Sequence, residues 1–164
     1  MRVLFLRHGE SAHNAHTGDE PLGAEAGDLL TERGRAQAAA AGAALDLAPE
    51  PVPYAFELHD GETFAQAYER VQLLKEQFEA DAAEAGPEEL PLLVTHGILT
   101  RFFLLDAVLG GRFTVETIER MWHLGSANCA VSTFEYGAVP EPGGAPAAIG
   151  WTCVSWMARP WDPQ

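Results

Sequence analysis

Two tripeptides carry the chemistry that can be read from this chain, Arg7-His8-Gly9 and Thr95-His96-Gly97. Each follows a run of apolar residues, Val3 to Leu6 in the first case and Leu90 to Thr95 in the second. A neutral imidazole attacks through its unprotonated nitrogen at neutral pH and needs no prior activation. An arginine beside it offers a fork of charged donors that suits a tetrahedral anion. The expectation is a site that holds an anion against a histidine.

The elements behind these residues follow from pattern. Short uninterrupted apolar runs suit strands buried on both faces, as in a parallel sheet. In open α/β sheets, ligands bind at the carboxyl ends of such strands. If Arg2 to Leu6 and Leu92 to Thr95 are parallel neighbours, both imidazoles emerge on one edge, beside helix N-termini with free N–H groups. Ser11 to Ala15 reads as a short helical turn and His16 to Asp28 as a loop. Thr31 is a candidate N-cap for an alanine-rich helix to about Leu45. Pro49, Pro51 and Pro53 forbid helix next, and Tyr54 to Leu58 is an edge strand or an extended connector.

His59 to Thr63 reads as a turn into a second helix, with Phe64, Ala67, Val71, Leu74 and Phe78 on one face. That helix should end near Gly86-Pro87. A third helix runs from Ile98 to Leu109 and stops at Gly110-Gly111. Cys129 to Tyr136 and Ile149 to Trp156 alternate as strands, joined by a loop from Gly137 to Pro146. The fold class expected is α/β, a three-layer sandwich with a mainly parallel sheet flanked by helices, forming one domain over residues 1–164.

Composition narrows the partners. A net charge of −14 argues against nucleic acid, which draws clustered Lys and Arg. The same field repels anionic substrates, so any phosphate site must be a local cationic pocket that gains little from steering. Phe102 to Leu105 is too short to span a bilayer, so no membrane partner is expected. Cys129 and Cys153 read as two thiols of a reducing compartment. With only a short apolar run before Arg7, no signal peptide is expected and the location expected is cytoplasmic. His8, His13 and His16 lack an Asp or Cys at ligand spacing, so neither a metal nor a cofactor is expected. His123, beside Trp122, is expected in or at the edge of the core, and Trp151, Trp156 and Trp161 in core and C-terminal anchoring.

Five blocks in order carry a resemblance. They are Arg7-His8-Gly9-Glu10-Ser11 with Asn14; Leu30-Thr31-Glu32-Arg33-Gly34-Arg35-Ala36-Gln37-Ala38; Asp60-Gly61-Glu62-Thr63 with Arg70-Val71; Val94-Thr95-His96-Gly97 with Arg101; and Ala127-Asn128-Cys129-Ala130-Val131. Together they resemble the histidine phosphatase superfamily, in its phosphoglycerate mutase-like branch. The resemblance implies that His8 becomes phosphohistidine, that Arg7 clamps the phosphoryl group and that Asn14 hydrogen-bonds a phosphate oxygen. It implies that His96 stabilises charge on the equatorial oxygens, and that Glu62 protonates the leaving oxygen and then takes a proton from water. The implied activity is metal-independent hydrolysis of small phosphorylated metabolites.

One departure stands out. The family's second phosphate-clamping arginine belongs between the second and third blocks, and residues 38–61 contain no Arg or Lys. Arg33 and Arg35 are expected to be solvated, and Arg101 to make an internal ion pair. Two other readings stay open: a non-catalytic protein of this fold that binds a phosphate ester or a partner, and a mutase-type phosphotransferase.

Overall fold

The sheet is organised around β1 (Arg2–Arg7). Val3 and Phe5 point to one face and lie fully buried in a large cluster with Val71, Phe78, Phe102 and Phe103. Leu6 points to the other face, onto Ala41, Cys129 and Val131, with Leu4 packed against them. Burial on both faces is why the strand is apolar without alternation. The computed structural model describes residues 1–19, 22–27, 29–46, 63–84, 90–139, 143 and 147–161.

Helix α3 (Glu32–Ala44) covers the Leu6 face, and α4 (Phe64–Glu84) and α5 (Gly97–Leu109) cover the Phe5 face. The three-layer sandwich is therefore as expected. The other strands are β2 (Leu92–Thr95), β3 (Val131–Val139) and β4 (Ala148–Ala158), in sheet order β2-β1-β3-β4. β1 and β2 are parallel neighbours, in register from Leu4 with Leu92 to Arg7 with Thr95. β3 runs antiparallel to both β1 and β4, so among the described residues the sheet is mixed, parallel only at β1 and β2. A short connection between β3 and β4 makes that pair antiparallel, since a parallel pair needs a crossover.

The helices end where side-chain chemistry stops them. Thr31 caps α3 by accepting the Gly34 N–H at 2.9 Å. Gly110 closes α5 at a φ of 58°, a left-handed turn that glycine adopts without a side-chain penalty. Two short helices precede α3: α1 (Ala12–Ala15), and α2 (Ala24–Gly27) inside the expected loop. After α5 come α6 (Val115–Arg120) and a 3-10 turn over Met121–His123, neither foreseen. His123 is exposed there, not in the core; Trp122 is 53% exposed, while Trp151 is buried as expected. The segments at Tyr54 to Leu58 and His59 to Glu62 lie outside the described residues.

α4 is locked to α5 by one buried carboxylate. Asp106, 3% exposed, accepts from Tyr68 Oη at 2.5 Å, from Gln72 Nε2 at 2.9 Å and from Lys75 Nζ. Burial pushes its pKa up, but the Lys75, Tyr68 and Gln72 donors outweigh it and leave the group below its ordinary value. Burial and the same carboxylate push Tyr68 up to about 12. Each fully buried ring such as Phe5 or Phe103 contributes about 2–3 kcal/mol. The rings hold the layers together, and Asp106 sets where along α5 the helix α4 sits.

Candidate functional site

The β1–β2 register decides the geometry of the site. His8 N–H donates to the Thr95 carbonyl at 3.0 Å, so the two strands release their histidines side by side. The ring centroids of His8 and His96 are 4.8 Å apart and their planes cross at 63°. His8 Nδ1 lies 2.7 Å from the Gly9 carbonyl oxygen. A carbonyl only accepts, so Nδ1 carries the hydrogen and Nε2 keeps its lone pair. His96 is the N-cap of α5 and makes no side-chain capping bond there.

Two guanidiniums, of Arg7 and Arg101, are held by one loop. Arg7 Nη1 donates to the Ser126 carbonyl, while its Nε is buried with no hydrogen-bond partner. Arg101 Nε and Nη2 donate to the Leu124 carbonyl at 3.1 and 2.8 Å. The guanidinium carbon of Arg101 also lies 5.2 Å from the Trp122 ring centroid, a cation–π contact. Between them the Gly125 carbonyl accepts from Trp156 Nε1 at 3.1 Å. The ion pair expected for Arg101 is thus replaced by a carbonyl and a ring. Among the described residues neither guanidinium meets a carboxylate. Burial lowers both arginine pKa values from their ordinary level, and for Arg101 the nearby charge of Arg7 lowers it further. Both remain cationic at neutral pH.

Asn14 joins the site through a partner that sequence reading did not single out. Its Oδ1 accepts from the Ser11 N–H at 3.2 Å and from Asn128 Nδ2 at 3.0 Å. Asn128 Nδ2 also donates to the His8 carbonyl at 3.1 Å. With Oδ1 occupied, the Asn14 amide group is left as a donor. The next residue, Cys129, has a φ of 52°, and its N–H reaches the Arg7 and His8 carbonyls at 3.0 and 3.3 Å. A left-handed turn on a non-glycine residue clamps the end of β1.

The second sequence block is the cradle of the first. The Glu10 carbonyl accepts the Thr31 N–H at 2.9 Å, and Glu10 N–H donates to Gln37 Oε1 at 2.9 Å. Thr31 Oγ1 donates to Glu10 Oε1 at 2.9 Å, and Arg33 lies 3.5 Å from Glu10 Oε2. The Glu10 carboxylate is therefore occupied in structure. Arg33 is mostly exposed, and Arg35 donates to the Leu30 carbonyl at 2.7 Å, so both are engaged away from the histidine pair. The structure brings together Arg7, His8, His96 and Asn14. Glu62 lies outside the described residues, just before α4. Among the described residues no group of three His, Cys, Asp or Glu could hold a metal ion, and no helix is long and apolar enough to cross a membrane.

No protein-family model matches the chain, and no curated protein matches it. Solved structures do. A mycobacterial glucosyl-3-phosphoglycerate phosphatase superposes with a TM-score of 0.62 at 17% identity, over 96% of this chain and 99% of that one. A phosphoserine phosphatase mutant from Entamoeba histolytica, in complex with phosphoserine, gives 0.60 at 13% identity over 96% of each chain. A mycobacterial hydrolase gives 0.59 at 20% identity, over 96% and 98%. The fold is the phosphoglycerate mutase-like fold of these neighbours.

Proposed function

We propose that the chain is a phosphomonoester hydrolase working through phosphohistidine on His8. The observation that carries this reading is the facing pair His8 and His96, their ring centroids 4.8 Å apart, with the His8 tautomer held by Gly9. The structural neighbours support it, being phosphatases named for glucosyl-3-phosphoglycerate and phosphoserine. The substrate is a small phosphorylated metabolite, in keeping with a pocket that must overcome a net charge of −14 by local cations. No metal takes part in this mechanism, and a cytoplasmic location agrees with two free thiols.

In the first step His8 Nε2 forms a bond to phosphorus as the ester P–O bond breaks, and Glu62 gives its proton to the leaving oxygen. Arg7 and the Asn14 amide hold the phosphoryl oxygens, and His96 stabilises the charge spread over them. In the second step Glu62 takes a proton from water, the water oxygen attacks phosphorus, and the N–P bond returns its electrons to His8. Rapid-quench mixing with a labelled phosphate ester tests the reading. Acid-labile, base-stable label should appear on the peptide carrying His8, and His8→Ala should lose both label and turnover. Full turnover in His8→Ala would overturn the mechanism. Ester binding without any turnover in the wild type would leave a non-catalytic binder.

A further inference from the structure

Resting on that reading, we propose that Arg101 is the second guanidinium of the anion site, standing in for the clamp that residues 38–61 lack. Arg101 is 9% exposed, in the second turn of α5, and no carboxylate among the described residues offsets its charge. Two of its nitrogens are committed to one carbonyl, that of Leu124. The third, Nη1, lies 3.4 Å from where a Cβ would stand on Gly97, the residue after His96. The fork is thus fixed at one end by the loop, with its other end at the first residue of α5, next in sequence to His96.

Loop 124–126 makes this arrangement specific. Its three consecutive carbonyls accept from Arg101, Trp156 and Arg7 in turn, so the loop spaces the two guanidiniums side by side. Trp122 backs the Arg101 plane and stops it swinging outward. Two like charges held close disfavour each other, and the charge of Arg7 adds to burial in lowering the Arg101 pKa. A dianion between them removes the conflict, and Arg7 Nε, buried and unpartnered, gains an acceptor. An arginine that served only to pin the loop would need neither a second cation beside it nor a third nitrogen left uncommitted at the start of α5.

Calorimetric titration with inorganic phosphate tests the assignment without requiring turnover. Arg101→Lys keeps the charge and loses the fork, and should weaken phosphate binding at least about tenfold, as expected for a lost charged hydrogen bond. The unfolding midpoint without phosphate should fall by a few degrees, because Lys keeps the cation and the stem but not both bonds to the Leu124 carbonyl, and the loss of phosphate affinity should exceed what that fall accounts for. Arg7→Lys with Arg101→Lys should weaken binding by less than the product of the single losses, since both hold one anion. Trp122→Leu, at an exposed ring, should fold normally and weaken phosphate about threefold. Wild-type affinity in Arg101→Lys and Trp122→Leu, or losses that only track unliganded stability, would overturn the proposal. Wild type that binds no phosphate would overturn it together with the hydrolase reading. Wild type that binds phosphate through Arg101 but never labels His8 would overturn the hydrolase reading alone.

Discussion

Gly9 and Gly34 meet backbone to backbone: a Cβ on Gly9 would land on the Gly34 carbonyl, and one on Gly34 would land on the Glu10 carbonyl. The loop carrying His8 is seated on the first turn of α3 at this contact. Within an ordinary helix, Gly to Ala stabilises by about 0.5–1 kcal/mol. At Gly34 the clash should reverse the sign, so Gly34→Ala should destabilise by about 1–3 kcal/mol in urea unfolding and depress turnover. Gly42 lies in the same helix with nothing within 4 Å of its missing Cβ. Gly42→Ala should stabilise by about 0.5–1 kcal/mol with turnover unchanged. Equal effects at the two positions would refute the close-contact account.

In the proposed mechanism, Glu62→Gln removes the proton donor and leaves His8 to attack. Esters with poor leaving groups should lose about 10²–10⁴ in rate, while activated aryl phosphates still transfer to His8. The check is a series of esters graded by leaving-group pKa. A uniform loss across that series would place the proton donor elsewhere.

Asn128→Ala should act on binding and alignment together. It removes the donor that holds both the Asn14 side chain and the His8 carbonyl. A lost hydrogen bond of this kind costs about 0.5–1.5 kcal/mol of stability. The fall in kcat/KM should exceed that cost, being tenfold or more, since misplacement of a nucleophile is amplified in rate. Kinetics and denaturation on the same variant give the comparison.

Asp106 makes a pH-dependent contribution whose direction is set by its lowered folded pKa. The stabilisation is fully present above the unfolded carboxylate value of about 3.9 and is lost as pH falls through the lower folded value. Asp106→Asn should be less stable at pH 7 by roughly 3 kcal/mol, because Lys75 is left as a half-buried cation without its anion. The gap to wild type should close below about pH 4. Urea titrations at several pH values measure it, and a gap constant down to pH 2 would contradict the assignment.

Much of this was legible in the chain. The run Val3 to Leu6 exposes its own burial on both faces, and strand ends followed by His-Gly locate the histidine pair once a parallel register is assumed. Thr31 marks the start of α3, and Gly110 the end of α5. The less legible parts depend on distant contacts. The antiparallel course of β3 is a matter of partners, and α6 is a six-residue helix whose capping Thr114 and Thr117 carry little weight alone. His123 was misread because Trp122 suggested a core, whereas that ring lies outward against Arg101. Asn128 is visible in the fifth block, but not its bonds to Asn14 and the His8 carbonyl, because the turn it sits in bends at Cys129, where the usual glycine marker of a positive φ is absent. Arg101 was expected to find a carboxylate, and no feature of sequence distinguishes a carbonyl partner from an acid.

The central place of β1 also has a consequence during synthesis. β1 ends at Arg7, yet its two neighbours begin at Leu92 and Val131, and the Met1 amine is bonded to the Tyr136 carbonyl. Ribosomes add roughly 5–20 residues per second, so the strand spends seconds outside the tunnel with both apolar faces and both edges open. Helices α3 and α4 can form in that interval, but the sheet cannot close until β3 emerges. The strand that carries His8 is thus made well before either of the strands that shelter it.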